Sequence, residues 1–89
     1  MHDLPRAREM VTSLVDALRE LGGTASVADI EQMVARRLNL SPEQLGLPHD
    51  KSRSEFQYRL GWTRTYAKKD GLVVSSRRNH WSLAETQTD

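Results

Sequence analysis

At 89 residues the chain has room for one domain with one small core. Its 37% apolar fraction contains no run long enough for a membrane span, and the absence of cysteine excludes disulfide stapling and thiolate metal sites. The net charge of +1 hides a polarised sequence: residues 1–50 carry five basic against eight acidic side chains, whereas residues 51–80 carry eight basic ones (Lys51, Arg53, Arg59, Arg64, Lys68, Lys69, Arg77, Arg78) against Glu55 and Asp70.

Residues 1–4 read as an N-terminal extension. From 5 to 21, Met10, Val11, Leu14, Val15, Leu18 and Leu21 fall at helical spacing, with Pro5 suited to a first turn and Gly22-Gly23 as a stop. Thr24 and Ala25 form a short extended piece. Ser26 followed by Asp29 predicts the N-cap and acidic first turn of a second helix to about Leu38, with its apolar stripe at Val27, Ile30, Met33, Val34 and Leu38. Ser41-Pro42-Glu43 opens one extra turn in a loop that Pro48 closes.

A third helix is predicted from Ser52 or Ser54 to Lys69 or Asp70, capped by Gly71. Phe56, Leu60, Thr63 and Ala67 mark its buried face; Ser54, Gln57, Tyr58, Gly61, Thr65 and Lys68 fall on the far side. Leu72-Val73-Val74 reads as a strand, residues 75–79 as a polar turn, and His80-Trp81-Ser82-Leu83 as the return strand. Residues 85–89 read as a tail or the start of a linker. The fold class is therefore mainly α with small β. Helix, extended piece, helix, helix and hairpin is the order of a winged helix-turn-helix over residues 5–84, whose third helix enters a major groove while the hairpin lies beside the backbone. The basic residues concentrate on those two elements, as an electrostatic footprint for nucleic acid would.

The run Arg59-Leu60-Gly61-Trp62-Thr63-Arg64-Thr65-Tyr66-Ala67-Lys68-Lys69-Asp70-Gly71-Leu72, continued by Arg77-Arg78 and Trp81-Ser82-Leu83, resembles the winged-helix N-terminal domain of Mrr-type restriction systems. The likeness covers roughly residues 5–85 and is specific over 56–83. Ala67 stands where a larger aliphatic is common, and His80 replaces a small residue at the hairpin tip. The resemblance implies a recognition module for double-stranded DNA, methylated bases included, that works with a nuclease domain in cis or in trans.

The candidate interface divides in two. On the third helix and its approach lie Lys51, Ser52, Arg53, Ser54, Gln57, Tyr58, Gly61, Trp62, Arg64, Thr65 and Lys68. Gln57 suits an adenine edge and Arg53 or Arg64 a guanine edge, each pair giving about 1–3 kcal/mol of discrimination. Gly61 permits close approach, and Ser52 and Ser54 at a helix N-terminus can meet a phosphate or simply cap. Tyr58 and Trp62 can face a thymine methyl or an added methyl; the competing and favoured reading packs Trp62 against the hairpin as a roof over the core. Arg59 reads as a fold residue paired to an acid of the second helix, for instance Glu31. At the wing, Arg77, Arg78, Asn79 and His80 suit phosphates or a narrow minor groove; the bland alternative is a turn kept soluble by charge.

Catalytic and cofactor signals are missing. His2, His49 and His80 are scattered without ligand spacing, Leu21-Gly22-Gly23-Thr24 is a helix stop and not a phosphate loop, and the nuclease motif of the resembling family is not found. A non-catalytic module without metal or cofactor is expected. The chain has no signal pattern around Asp3 and Arg6, so a cytoplasmic location is expected. Two rival readings remain at this level: a winged helix that docks a protein or a second copy, and one domain of a larger nuclease.

Overall fold

The structure, a computed structural model, describes residues 4–84. A 3-10 turn at Arg8–Met10 leads into α1 (Val11–Glu20); β1 (Thr24–Ser26), α2 (Val27–Arg37), a one-turn α3 (Pro42–Leu45), α4 (Glu55–Lys69), β2 (Val73–Arg77) and β3 (His80–Leu83) follow. This is a mainly α fold with a small three-stranded antiparallel sheet, in an arrangement compatible with a winged helix-turn-helix. The predicted third helix is α4, because the loop's extra turn is itself helical.

Local chemistry explains the boundaries. The Ser26 hydroxyl accepts from Asp29 N–H, as the Ser–Asp spacing predicts. Ser41/Gln44 and Ser54/Gln57 form two complete capping boxes, so α4 starts at Glu55 and Ser52 lies outside it. Gly71, with φ of 77°, supplies the left-handed residue after the Asp70 C-cap. The first helix begins later than Pro5, read as a first-turn residue, suggested. Residues 4–7 run as a non-helical segment, and Glu9 turns back to accept from Arg6 N–H.

Met10, Leu14, Leu18, Ile30, Val34, Leu60 and Val73 are fully buried and form the core with Phe56, Ala17 and Ala67. Burying a side chain of that size contributes about 1.5–3 kcal/mol. Leu4, expected in an extension, is buried in that core as well. Thr63, on the predicted buried face, places its hydroxyl 2.7 Å from the Ala7 carbonyl and 2.9 Å from that of Arg59.

In the sheet β3 lies between β1 and β2, with Ala25 opposite Trp81 and Ser75 on Trp81's other side. The first hairpin strand runs through Arg77, so the predicted polar turn shrinks to Arg78 and Asn79, with a register shift between Ser75 and Arg77. Asn79 takes the left-handed conformation at φ 59°. Its carbonyl accepts from Val27 N–H, which ties the hairpin turn to the start of α2. Residues 1–3 and 85–89, most of the proposed extension and the tail, lie outside the described residues.

Candidate nucleic-acid interface

The approach to α4 is a closed loop. Glu55 N–H donates to the Leu47 carbonyl at 2.7 Å, and both His49 and Asp50 N–H donate to Arg53 O. Inside it the Asp50 carboxylate accepts from Ser52 N–H, Ser52 Oγ and Arg53 N–H. Those bonds, the two backbone ones foremost, hold the Asp50 carboxyl below its ordinary range. Ser52 is thus committed to Asp50 and Ser54 to the cap, while Lys51 stands exposed at the loop tip.

Two acids of this region are neutralised locally. Glu55 accepts from Arg59 Nε at 2.7 Å and from His49 Nδ1 at 3.0 Å. Asp50 lies 3.5 Å from Arg53. Arg59 is a fold residue, as read from the sequence, but its acid is Glu55 one turn back and not one on α2. Its Nη1 reaches the carbonyls of Leu4 and Pro5, clamping the N-terminal segment to α4. By contrast, Lys51, Lys68, Lys69, Arg77 and Arg78 are exposed and make no ion pair with a described residue.

The face of α4 opposite the core carries Tyr58, Gly61, Thr65 and Lys69. Arg53, Tyr58, Gly61, Trp62 and Thr65 line one shallow depression of about 130 Å³ there. Thr65 Oγ1 bonds back to the Gly61 carbonyl. A Cβ on Gly61 would meet only Arg64 Nη2, at 3.6 Å, so packing does not require the glycine.

Three expected residues turn elsewhere. The Gln57 amide is engaged at both ends, accepting from Ser54 N–H and donating to Glu31 at 3.4 Å. Arg64 lies on the flank facing β3, its guanidinium 5.8 Å from the Trp81 ring, with Nε and Nη1 buried and unpartnered. Burial pushes it below its ordinary range and Glu31 pulls the other way. Trp62 does not pack on the hairpin. It is 46% exposed, with Tyr66 as its ring neighbour at 6.1 Å, and Trp81 is the tryptophan set against the core.

At the hairpin, His80 Nδ1 lies 2.9 Å from the Arg78 carbonyl and Nε2 3.4 Å from Arg77 Nη2. Nδ1 is then the donor and Nε2 the acceptor. Arg78 and Asn79 are exposed at the turn.

His49 is the residue that sequence reasoning passed over. Its ring stacks on Tyr58 at 3.7 Å with an interplanar angle of 11°, and Arg53 lies 5.5 Å from the same tyrosine ring. Nothing in the local sequence marks His49, because the stack depends on the path of the loop.

No helix among the described residues is long and apolar enough to cross a membrane. No curated protein and no solved structure matches the chain significantly. The model of the Mrr N-terminal domain does match, over residues 8–88 and so nearly the whole length, in agreement with the motifs of α4 and the hairpin. The chain belongs to the Mrr N-terminal domain family.

Proposed function

We propose that residues 5–84 form a double-stranded DNA-binding winged-helix module of a restriction or defence system. It is a recognition part without catalysis of its own, acting with a nuclease domain in cis or in trans in the cytoplasm. Family membership supports the defence role.

The observation that carries DNA binding is the sorting of charge: the acids Glu55 and Asp50 are bonded to their neighbours, whereas Lys51, Lys68, Lys69, Arg77 and Arg78 project unpaired. Exposed cations free of ion pairs on one helix, the loop that leads into it and one hairpin suit phosphates. Base edges, methylated ones included, meet Arg53, Tyr58, Gly61, Trp62 and Thr65. Arg64 enters the interface only by leaving its place beside Trp81.

Fluorescence anisotropy of a labelled duplex at several salt concentrations tests the reading. Neutralising about five phosphates gives a log–log slope near −4.5, at about −0.9 per contact. A slope near zero would sink it.

The alternative, a protein-docking winged helix, is favoured by Leu72, just before the edge strand β2, and Val74 within it, 40% and 44% exposed. Concentration-dependent sedimentation unaffected by excess duplex would support that reading instead.

A further inference from the structure

We propose that the cleft between α4 and residues 4–9 takes up an unstacked nucleobase, either from a single strand or turned out of a duplex. This rests on the nucleic-acid reading above and names a second ligand form for the same helix.

Helix α4 sets Tyr58, Trp62 and Tyr66 four residues apart, in one row along its surface. The two ends of the row are occupied. His49 stacks on Tyr58, and the Arg8 guanidinium lies 4.3 Å from the centre of the Tyr66 ring. Trp62, between them, is the most exposed large apolar side chain among the described residues. A half-exposed indole between two clamped phenols is a stacking surface.

The cleft beside it has a volume of about 570 Å³ and includes Leu4, Ala7, Tyr58, Arg59, Trp62 and Tyr66 in its walls. Its far wall is fixed before any ligand arrives. Arg59 holds the Leu4 and Pro5 carbonyls, Thr63 holds that of Ala7, and Arg8 lies on Tyr66. Such pre-organisation lowers the ordering cost of binding.

The chemistry selects a base over other planar or apolar ligands. A cationic ligand would have to share the tyrosine faces with Arg8 and Arg53, which already occupy them. A neutral π-face with a polar edge meets no such conflict. Arg6 and Glu9 lie at the cleft, one suited to a phosphate and the other able to accept from an exocyclic amine. Trp62 also walls the shallow depression with Gly61 and Thr65, so a base leaving a duplex on that face passes directly over the indole.

The test measures anisotropy for the whole chain and for Trp62→Ala and Trp62→Phe against three probes: a single-stranded oligocytidine, a fully paired duplex, and that duplex with one bulged cytosine. Stacking on an aromatic side chain predicts about a tenfold loss in Trp62→Ala on the single strand and the bulged duplex. The loss on the paired duplex, where the indole meets only a base edge, is at least about threefold smaller than on the unpaired probes, and Trp62→Phe recovers most of the affinity. Loss confined to the single strand assigns the cleft to free strands, and loss on both assigns it to extruded bases as well. Equal loss on all three probes, or none on the unpaired ones, overturns the proposal. An unaltered chain that binds the single strand through Trp62 but not the duplex overturns the duplex reading alone.

Discussion

The guanidinium of Arg64 lies 5.8 Å from the Trp81 ring with Nε and Nη1 buried and without hydrogen-bond partners, so the helix and the hairpin meet across a half-buried cation with two unbonded donors. Glu31 attracts it from α2 but is already the acceptor for Gln57. A buried donor without a partner costs free energy, and a buried charge costs more. Its retention is explained if the guanidinium has a use outside the folded monomer.

Arg64→Met keeps the apolar stem and removes the charge. Urea denaturation should then show the variant about 1 kcal/mol more stable, while affinity for duplex DNA falls. A variant both less stable and equally tight in binding would show that the guanidinium serves the core alone.

Gly61 allows the same separation of fold from function. The methyl of Gly61→Ala meets only Arg64 Nη2, at ordinary contact distance. Alanine in a helix interior should add about 0.5–1 kcal/mol of stability. If the helix face approaches DNA closely there, the same methyl weakens duplex binding severalfold. Thermal melts and anisotropy on one preparation decide it, and unchanged affinity would exclude close approach at Gly61.

What could be read from the sequence was what depends on short range. Ser26 with Asp29, and Phe56, Leu60, Thr63 and Ala67 on one face, follow from capping and helical period, and the structure keeps them. Trp62 does not pack on the hairpin, and the reason is physical. On the helix surface Trp62 and Arg64 border opposite sides of the buried stripe, and the period does not say on which side the hairpin lands. It lands on the Arg64 side, so Trp81 closes the core and Trp62 is left to the N-terminal segment. Similarly, His49 meets Tyr58 only because the loop of residues 47–54 folds back on itself, whereas Arg59 meets Glu55 at the i, i+4 spacing of α4 itself.

Glu55 makes stability depend on acid. The hydrogen bond from Arg59 lowers its carboxyl below the ordinary value of 4.5, with His49 assisting and burial opposing. A carboxyl depressed in the folded state contributes stability above its unfolded value and loses it as pH falls through the folded one. Melting temperature should therefore drop as pH descends below about 4.5, with Asp50 adding to the slope. Glu55→Gln should start lower at pH 7 and lose less on acidification. An equally steep acid branch in that variant would remove Glu55 from the account.

The hairpin arginines are best judged by salt and not by affinity alone. Arg77 and Arg78 are exposed, and the hairpin end that carries them, the last residue of β2 and the first of the turn, is fixed by the Asn79 carbonyl on α2 and the His80 imidazole on Arg78 O. A fixed cation removed from a phosphate takes one released counterion with it. Arg77→Ala/Arg78→Ala should therefore flatten the log–log salt dependence of duplex binding by about 1.8, at about 0.9 per contact. A base-reading role gives a different signature, since loss of a groove contact relaxes sequence preference and is less sensitive to salt. If affinity falls with the slope intact, the arginines read bases or shape and the phosphate contacts belong to Lys68, Lys69 and Lys51. The turn then joins the reading surface, and α4 supplies the electrostatic attraction.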